Sequence, residues 1–346
     1  MYESLLFSLD GRNDLAKSIV EQTNMYSTGL NNITEIGVLR NQKFSDGELC
    51  VDFTDSVRGK QVFILSSPNT SDEIMKLLLA IDAAKRAAAK EIIPILPYFP
   101  YARQDKKDQS RGPIGAKMMA EMIEERGATS VITFDLHADQ IQGFFNIPVT
   151  HIEGKNVFDE FISSINTPET ILCGPDAGSG KRVKRMKEQL YKHYGINLNY
   201  VIIDKTRKEA NVIGEMVIIG DVSGKDVIIL DDMVDTAGTL CKAAEVIMKA
   251  GAKSVRAIIS HGVLSGLAYE NIGESVLNEL VISDSLGKPD YMKLCSNDFS
   301  ESKCISIRKG FDKIHVISMA KQIGFAVAAI TNNLSYEALM SSKKEI

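Results

Sequence analysis

The sequence predicts an α/β fold built as two related domains, each a mainly parallel sheet flanked by helices. Three observations predict it. Short β-branched runs, nearly continuously apolar, alternate with longer helical patterns, as in sheets covered on both faces. The chain has 346 residues, enough for two domains of roughly 150. Finally, Gly59-Lys-Gln-Val-Phe-Ile-Leu65 returns further on as Gly224-Lys-Asp-Val-Ile-Ile-Leu230.

Taken in order, the predicted strands are residues 61–65, 91–96, 130–134, 170–173, 200–203, 226–230, 254–260 and 279–283. Each is too short for a stable helix and too apolar for a solvated loop. The first helix between them, 72–89, offers Met75, Leu78, Leu79 and Ile81 to a core, and 113–126 and 239–250 are further helices. Strand–helix–strand succession of this kind requires right-handed crossovers. The echo extends beyond the strands, because Ala87-Ala-Ala-Lys90 is matched by Ala250-Gly-Ala-Lys253 at the same place in the unit. Chance likeness between two such units is the alternative. The expected organisation is a domain over 1–157, a second over 158–316, and a C-terminal helix with a frayed tail over 317–346.

Composition excludes several classes. Hydrophobic residues make up 44% and charged residues 25%, so the chain can bury enough apolar surface to order itself. Forty Lys and Arg against 45 Asp and Glu leave a net charge of −5, which gives no basis for a nucleic-acid partner. The five cysteines (Cys50, Cys173, Cys241, Cys295 and Cys304) form no C-x-x-C pair, so neither a zinc site nor a disulfide framework is expected. No apolar run approaches the ~20 residues of a membrane span, and the start has no basic segment leading into an apolar one. A cytoplasmic protein with no membrane partner is the expectation.

The strongest local signal is Val227-Ile-Ile-Leu-Asp-Asp-Met-Val-Asp-Thr-Ala-Gly-Thr239. A buried strand runs into Asp231 and Asp232, and the small residues Thr236, Ala237, Gly238 and Thr239 then open a helix. Ligands of open α/β sheets collect at such strand ends. Peptide N–H groups at the helix start favour a phosphate, and the paired carboxylates can accept hydrogen bonds from two neighbouring sugar hydroxyls. One loop can therefore hold a pentose phosphate by both ends. An acidic N-cap before an ordinary helix is the plainer reading.

Other clusters have chemistry of their own. Phe44-Ser-Asp-Gly-Glu48 offers an aromatic face and two acids around a glycine turn, suited to stacking on adenine and accepting its amine, or simply to a β-turn. Arg103 and Gln104 follow the aromatic, proline-rich stretch Tyr98-Phe-Pro-Tyr101, and a guanidinium fork suits phosphate oxygens. His137 and Asp176 each follow a predicted strand. Lys205-Thr-Arg-Lys-Glu-Ala-Asn211 is a basic cluster after another strand, and Lys106-Lys-Asp-Gln-Ser-Arg-Gly-Pro113 a polar loop before a helix. Gly174-Pro-Asp-Ala-Gly-Ser-Gly-Lys181 is not a P-loop: the glycine spacing is one residue too long, and Arg182 stands where a hydroxyl should hold magnesium.

The loop at 231–239 resembles the 5-phosphoribosyl-1-pyrophosphate motif shared by phosphoribosyltransferases and ribose-phosphate pyrophosphokinases. Four further segments resemble signatures of the second family, in its order: Lys43–Glu48, Pro97–Asp108, Asp135–Phe145 and Pro175–Gly178. The resemblance implies two phosphoribosyltransferase-like domains, the first on the ATP side and the second on the ribose 5-phosphate side. It implies transfer of the diphosphoryl group of ATP to ribose 5-phosphate, with Mg²⁺ as cofactor. Carried over residue by residue, it implies ATP contacts from Phe44, Asp46, Gly47, Glu48, Arg103 and Gln104. Ribose 5-phosphate contacts fall to Arg207, Asp231, Asp232, Asp235, Thr236, Ala237, Gly238 and Thr239. Metal roles fall to His137 and Asp176, and catalysis to Lys205 and Arg207 on a mobile loop. In class I members, Lys107, Ser110 and Arg111 match a regulatory loop responsive to phosphate and ADP, and a homo-hexamer is implied likewise.

Two departures accompany the match. Ile282-Ser-Asp-Ser-Leu286 replaces the family's Thr-Asn motif, and Ser335-Tyr-Glu-Ala-Leu-Met340 replaces its Ser-Tyr-Leu-Phe ending. A phosphoribosyltransferase is the second reading, opposed by the ATP-side motifs. A non-catalytic regulatory member is the third, opposed by the intact acidic loop and basic cluster.

Overall fold

Two sheets organise the computed structural model, which describes residues 3–27, 33–205, 216–287, 289, 301–337 and 339. They belong to two units, Met1–Glu153 with Ser318–Ile346, and Gly154–Ile317. The first unit opens with β1 (Ser4–Ser8), α1 (Asn13–Tyr26) and β2 (Thr34–Ile36). A two-stranded antiparallel hairpin follows, β3 (Leu39–Lys43) and β4 (Leu49–Phe53). Next come β5 (Gln61–Leu65), α2 (Ser71–Arg86), β6 (Glu91–Leu96), α3 (Gly115–Arg126), β7 (Val131–Phe134) and β8 (Val149–Ile152). The main sheet runs β2-β1-β5-β6-β7-β8, all parallel.

The second unit contains α4 (Lys155–Ile165), β9 (Thr170–Gly174), α5 (Gly180–Tyr194), β10 (Asn199–Lys205), β11 (Met216–Ile219) and β12 (Asp226–Val234). It continues through α6 (Gly238–Lys249), β13 (Ser254–Gly262), α7 (Ala268–Glu274), β14 (Glu279–Ser283), α8 (Glu301–Asp312) and β15 (Ile314–Ile317). Its sheet runs β11-β10-β9-β12-β13-β14-β15, in which β10 and β11 pair antiparallel and the other described neighbours pair parallel. The expected α/β class with mainly parallel sheets is what the chain forms. No helix among the described residues is long and apolar enough to cross a membrane.

The central strands are apolar on both faces because both faces are covered. Val62, Phe63, Ile64 and Leu65 of β5 are all buried, as are Val227, Ile228, Ile229 and Leu230 of β12. Each such side chain contributes about 1.5–3 kcal/mol on leaving water. Helix α2 starts at a capping box, in which the Thr70 hydroxyl accepts from Glu73 N–H and the Glu73 carboxylate accepts from Thr70 N–H. Its core stripe is Leu77, Leu78, Ala80, Ile81 and Ala84. Met75, expected in the core, is 48% exposed, because it falls on the solvent side of that stripe.

The repeated segment is also a repeated hydrogen-bond pattern. Gly59 N–H donates to Ala88 O at 2.9 Å, and Gly224 N–H to Gly251 O at 2.8 Å. Lys90 N–H donates to Lys60 O, and Lys253 N–H to Lys225 O, at 2.9 and 2.8 Å. Ala88 and Gly251 both take the left-handed conformation after their helices, with φ of 59° and 93°.

Helix α9 (Ala320–Thr331) belongs to the first unit and packs on α1. Tyr26 and Phe325 stack with centroids 3.8 Å apart and planes within 8°. A Cβ on Gly324 would lie 2.6 Å from Cβ of Gln22, so the absence of a side chain there sets the closeness of the helices.

Candidate active site

In the second unit, the carboxyl ends of β9 and β12 open on a cavity of about 190 Å³. Among its lining residues are Pro175, Asp231, Asp235, Thr236, Ala237 and Thr239. Strand β12 stays in register with β13 as far as Val234, beside Gly262, so the acidic pair sits within the ladder and is held by it. Asp232 is 7% exposed and is not among the lining residues.

Ala237 has φ +61°, a left-handed conformation uncommon for a residue with a Cβ. It immediately precedes α6, whose N-terminus has no side-chain cap among the described residues and no acid in its first turn. The peptide N–H groups of that turn thus keep donor capacity for a ligand. The aligned dipoles of α6 add a partial positive charge there, which favours a phosphate. The corresponding helix of the first unit is the opposite case: α2 carries Asp72 and Glu73 in its first turn and satisfies its donors with Thr70. Of these two matched positions, the geometry suits an anion only in the second unit.

Burial and the neighbouring Asp232 carboxylate push Asp231 up to about 8, opposed by the charge of Arg182. Asp232 N–H donates to Asp231 Oδ1 at 3.0 Å. Asp176 lies two residues beyond β9, and its Oδ1 accepts from Ser179 N–H at 2.9 Å, capping a short 3₁₀ turn.

The remaining candidates in the second unit are Lys205, the last residue of β10, whose side chain is outside the described set, and Arg207, which lies outside the described residues. In the first unit, Phe44, Asp46, Gly47 and Glu48 come together at the tip of the β3–β4 hairpin. Phe44 N–H donates to Glu48 O at 2.8 Å and Glu48 N–H to Asp46 Oδ1 at 3.0 Å. Gly47 takes φ +98° there, and Phe44 is 46% exposed, leaving its ring accessible.

Arg103 and Gln104 are exposed on the connection from β6 to α3, following Tyr101 at φ +57°. Lys107, Ser110 and Arg111 are exposed on the same connection. His137 is exposed just beyond β7, next to Leu136, whose N–H donates to His151 Nε2 at 3.1 Å. His137 and Asp176 belong to different units.

The cavity brings together Asp231, Asp235, Thr236, Ala237 and Thr239 of the predicted set. Sequence reasoning gave no role to Arg182, whose charge reaches Asp231, or to Ser265 and Asn271, which hold the loop from β13 and α7. The Arg182 signal was present in the basic pair after Gly180. No motif marks the other two.

Comparison with known proteins supplies the family context. Residues 4–127 match the model of the N-terminal domain of ribose phosphate pyrophosphokinase, and residues 193–325 that of the phosphoribosyl synthetase-associated domain. The chain is 43% identical to the ribose-phosphate pyrophosphokinase of Wolinella succinogenes over 86% of its length and 89% of the relative's. It is 40% identical to that of Oceanobacillus iheyensis over 94% and 93%. The crystal structure of phosphoribosylpyrophosphate synthetase from Mycobacterium smegmatis superposes with a TM-score of 0.80 at 30% identity, covering 96% of this chain and 100% of that one.

Proposed function

The chain belongs to the ribose-phosphate pyrophosphokinase family, and from that premise we propose how its residues share the reaction. The enzyme transfers the β,γ-diphosphoryl group of ATP to the C1 hydroxyl of ribose 5-phosphate, giving 5-phosphoribosyl 1-diphosphate and AMP for nucleotide biosynthesis. One observation carries the sugar-phosphate assignment. The uncapped start of α6, behind left-handed Ala237, lines the same cavity as Asp231.

In this reading the 5-phosphate lies against the N–H groups and hydroxyls of Thr236–Thr239, with Asp235 at the loop entrance. Asp231 and Asp232 accept hydrogen bonds from the 2′ and 3′ hydroxyls. Phe44, Asp46, Gly47 and Glu48 serve adenine, and Arg103 and Gln104 serve ATP. The attack of the C1 oxygen on the β-phosphorus builds charge on the transferring group and on the oxygen that leaves with AMP. Lys205 and Arg207 stabilise that charge, with Arg207 also touching the sugar phosphate.

The donor chemistry fits Mg²⁺. Among the described residues no group of three or more His, Cys, Asp or Glu forms a cage, and Mg²⁺ is commonly held by one or two carboxylates, substrate phosphates and water. Asp176 supplies a carboxylate in the second unit, and His137, exposed in the first, suits contact through water. When bound, the cation neutralises phosphate charge. Lys107, Ser110 and Arg111 are assigned to regulation by phosphate or ADP, within a cytoplasmic homo-hexamer.

The test is direct. Pure protein with ATP, Mg²⁺ and ribose 5-phosphate should release AMP only when the sugar phosphate is present. Folded protein that releases none, or that cleaves ATP equally well without the sugar, overturns the reading.

A further inference from the structure

Three consecutive residues of the sugar-phosphate loop are held by the segment that follows β13. Val263 N–H donates to Val234 O at 2.9 Å, and Ser265 N–H to Asp235 O at 3.1 Å. The Ser265 hydroxyl also donates to Asp235 Oδ1. Asn271 Nδ2 then donates to Thr236 O at 2.8 Å. Leu264 and Gly266, at φ +50° and +60°, give this segment its curvature.

Thr236 O is the last carbonyl before the left-handed residue. In a trans peptide the C=O and the following N–H point in opposite directions. Fixing Thr236 O therefore fixes the direction of Ala237 N–H, the first donor of the turn that opens α6. An unheld carbonyl could rotate toward a phosphate and repel it.

Asn271 lies in α7, which is itself held by its neighbours. Lys313 Nζ donates to Ile272 O, Gly273 O and Ser275 O at 3.0, 3.3 and 2.8 Å, closing the C-terminus of α7. Gly273 and Gly310 let α7 and α8 cross so closely that a Cβ on either would collide with a backbone carbonyl of the other helix. Cys241 Sγ, from α6, donates to Asn271 O at 3.4 Å.

We propose that Asn271 and Ser265 are positioning residues for ribose 5-phosphate, setting the peptide donors and the Asp235 carboxylate before the ligand arrives. The inference rests on the reading of the α6 start as the phosphate site. Neither residue touches the reacting atoms. Their removal should therefore weaken the sugar phosphate and leave ATP unaffected.

The experiment measures KM for each substrate, kcat and Tm in the full chain. Asn271→Asp keeps the shape but removes the amide donor, and should raise KM for ribose 5-phosphate about tenfold while KM for ATP stays within about twofold. Ser265→Ala should act in the same direction, and Ser265→Thr should restore KM to within about twofold of wild type. Because both act on one loop, the double variant should depart from the product of the single effects.

Equal rises in both KM values, or a lower Tm with neither KM changed, overturn the positioning role. If Asn271→Asp does not fold, the Ser265→Ala and Ser265→Thr pair decides by the same KM comparison. Wild-type protein that makes no AMP from ATP and ribose 5-phosphate removes the underlying reading instead, so the two failures are distinguishable.

Discussion

Asp231 and Asp232 share one strand end, and burial, together with the neighbouring Asp232 carboxyl, holds Asp231 up at about 8. An acid whose pKa rises on folding keeps its proton in the folded chain and loses it in the unfolded one across the interval between. Stability of the empty protein should therefore fall as pH rises from about 4 to about 8. Asp231→Asn removes that slope. Its Tm should equal or exceed wild type at pH 8 and lose the advantage near pH 4, while ribose 5-phosphate binding weakens at least tenfold. Parallel Tm curves across this range contradict the raised pKa of Asp231.

Lys205→Ala tests the transition-state assignment. A cation that acts on developing charge contributes to kcat and little to ground-state binding. Turnover should drop by about 100-fold or more, with ATP affinity within about twofold of wild type. Equal losses in turnover and in ATP affinity speak for a binding role instead.

Gly273→Ala tests the α7 platform. The new Cβ meets the carbonyl of Ser306, backbone that cannot rotate away. Overpacking of this kind costs about 1–3 kcal/mol. Denaturant unfolding should show that loss, and KM for ribose 5-phosphate should rise with it as Asn271 is displaced. Unchanged stability argues against the close helix crossing.

Phe325→Ala tests the closure of the first unit by α9. Loss of the stack with Tyr26 and of the buried ring should cost about 3–5 kcal/mol. Amide exchange should accelerate in α1 and α9 before it does in β12 and β13. Uniform acceleration throughout the chain contradicts a role confined to the first unit.

The strands were the most legible part of the sequence. The apolar runs at 61–65, 91–96 and 279–283 coincide with β5, β6 and β14, because strands covered on both faces need no alternation to be seen. Strand β12 was read too short: it continues from Leu230 through the acidic pair to Val234, since ladder hydrogen bonds to β13 outweigh the polarity of two side chains at its end. Met75 was misplaced because apolar character alone does not say which side of a helix is buried.

The turn between β12 and α6 was legible in its small residues and preceding acids. Its left-handed residue was not, because Ala rarely adopts that conformation and the partners beside it, β13 and Asn271, come later in the chain. Ser265 and Asn271 were invisible for a related reason. A serine and an asparagine outside any motif acquire meaning only through the backbone atoms they meet.

The pairing of α9 with α1 has a consequence for synthesis. The Thr23 hydroxyl, which donates to Ile19 O at 2.8 Å, also lies 3.4 Å from Gly324 O, a contact spanning nearly the whole chain. The second unit, Gly154–Ile317, is complete before α9 has been translated. The unit that begins first thus finishes last: on the ribosome, helix α1 must wait with an apolar stripe uncovered while an entire neighbour is made. Slowed or interrupted elongation should leave that early half, not the later one, open to chaperones and proteases.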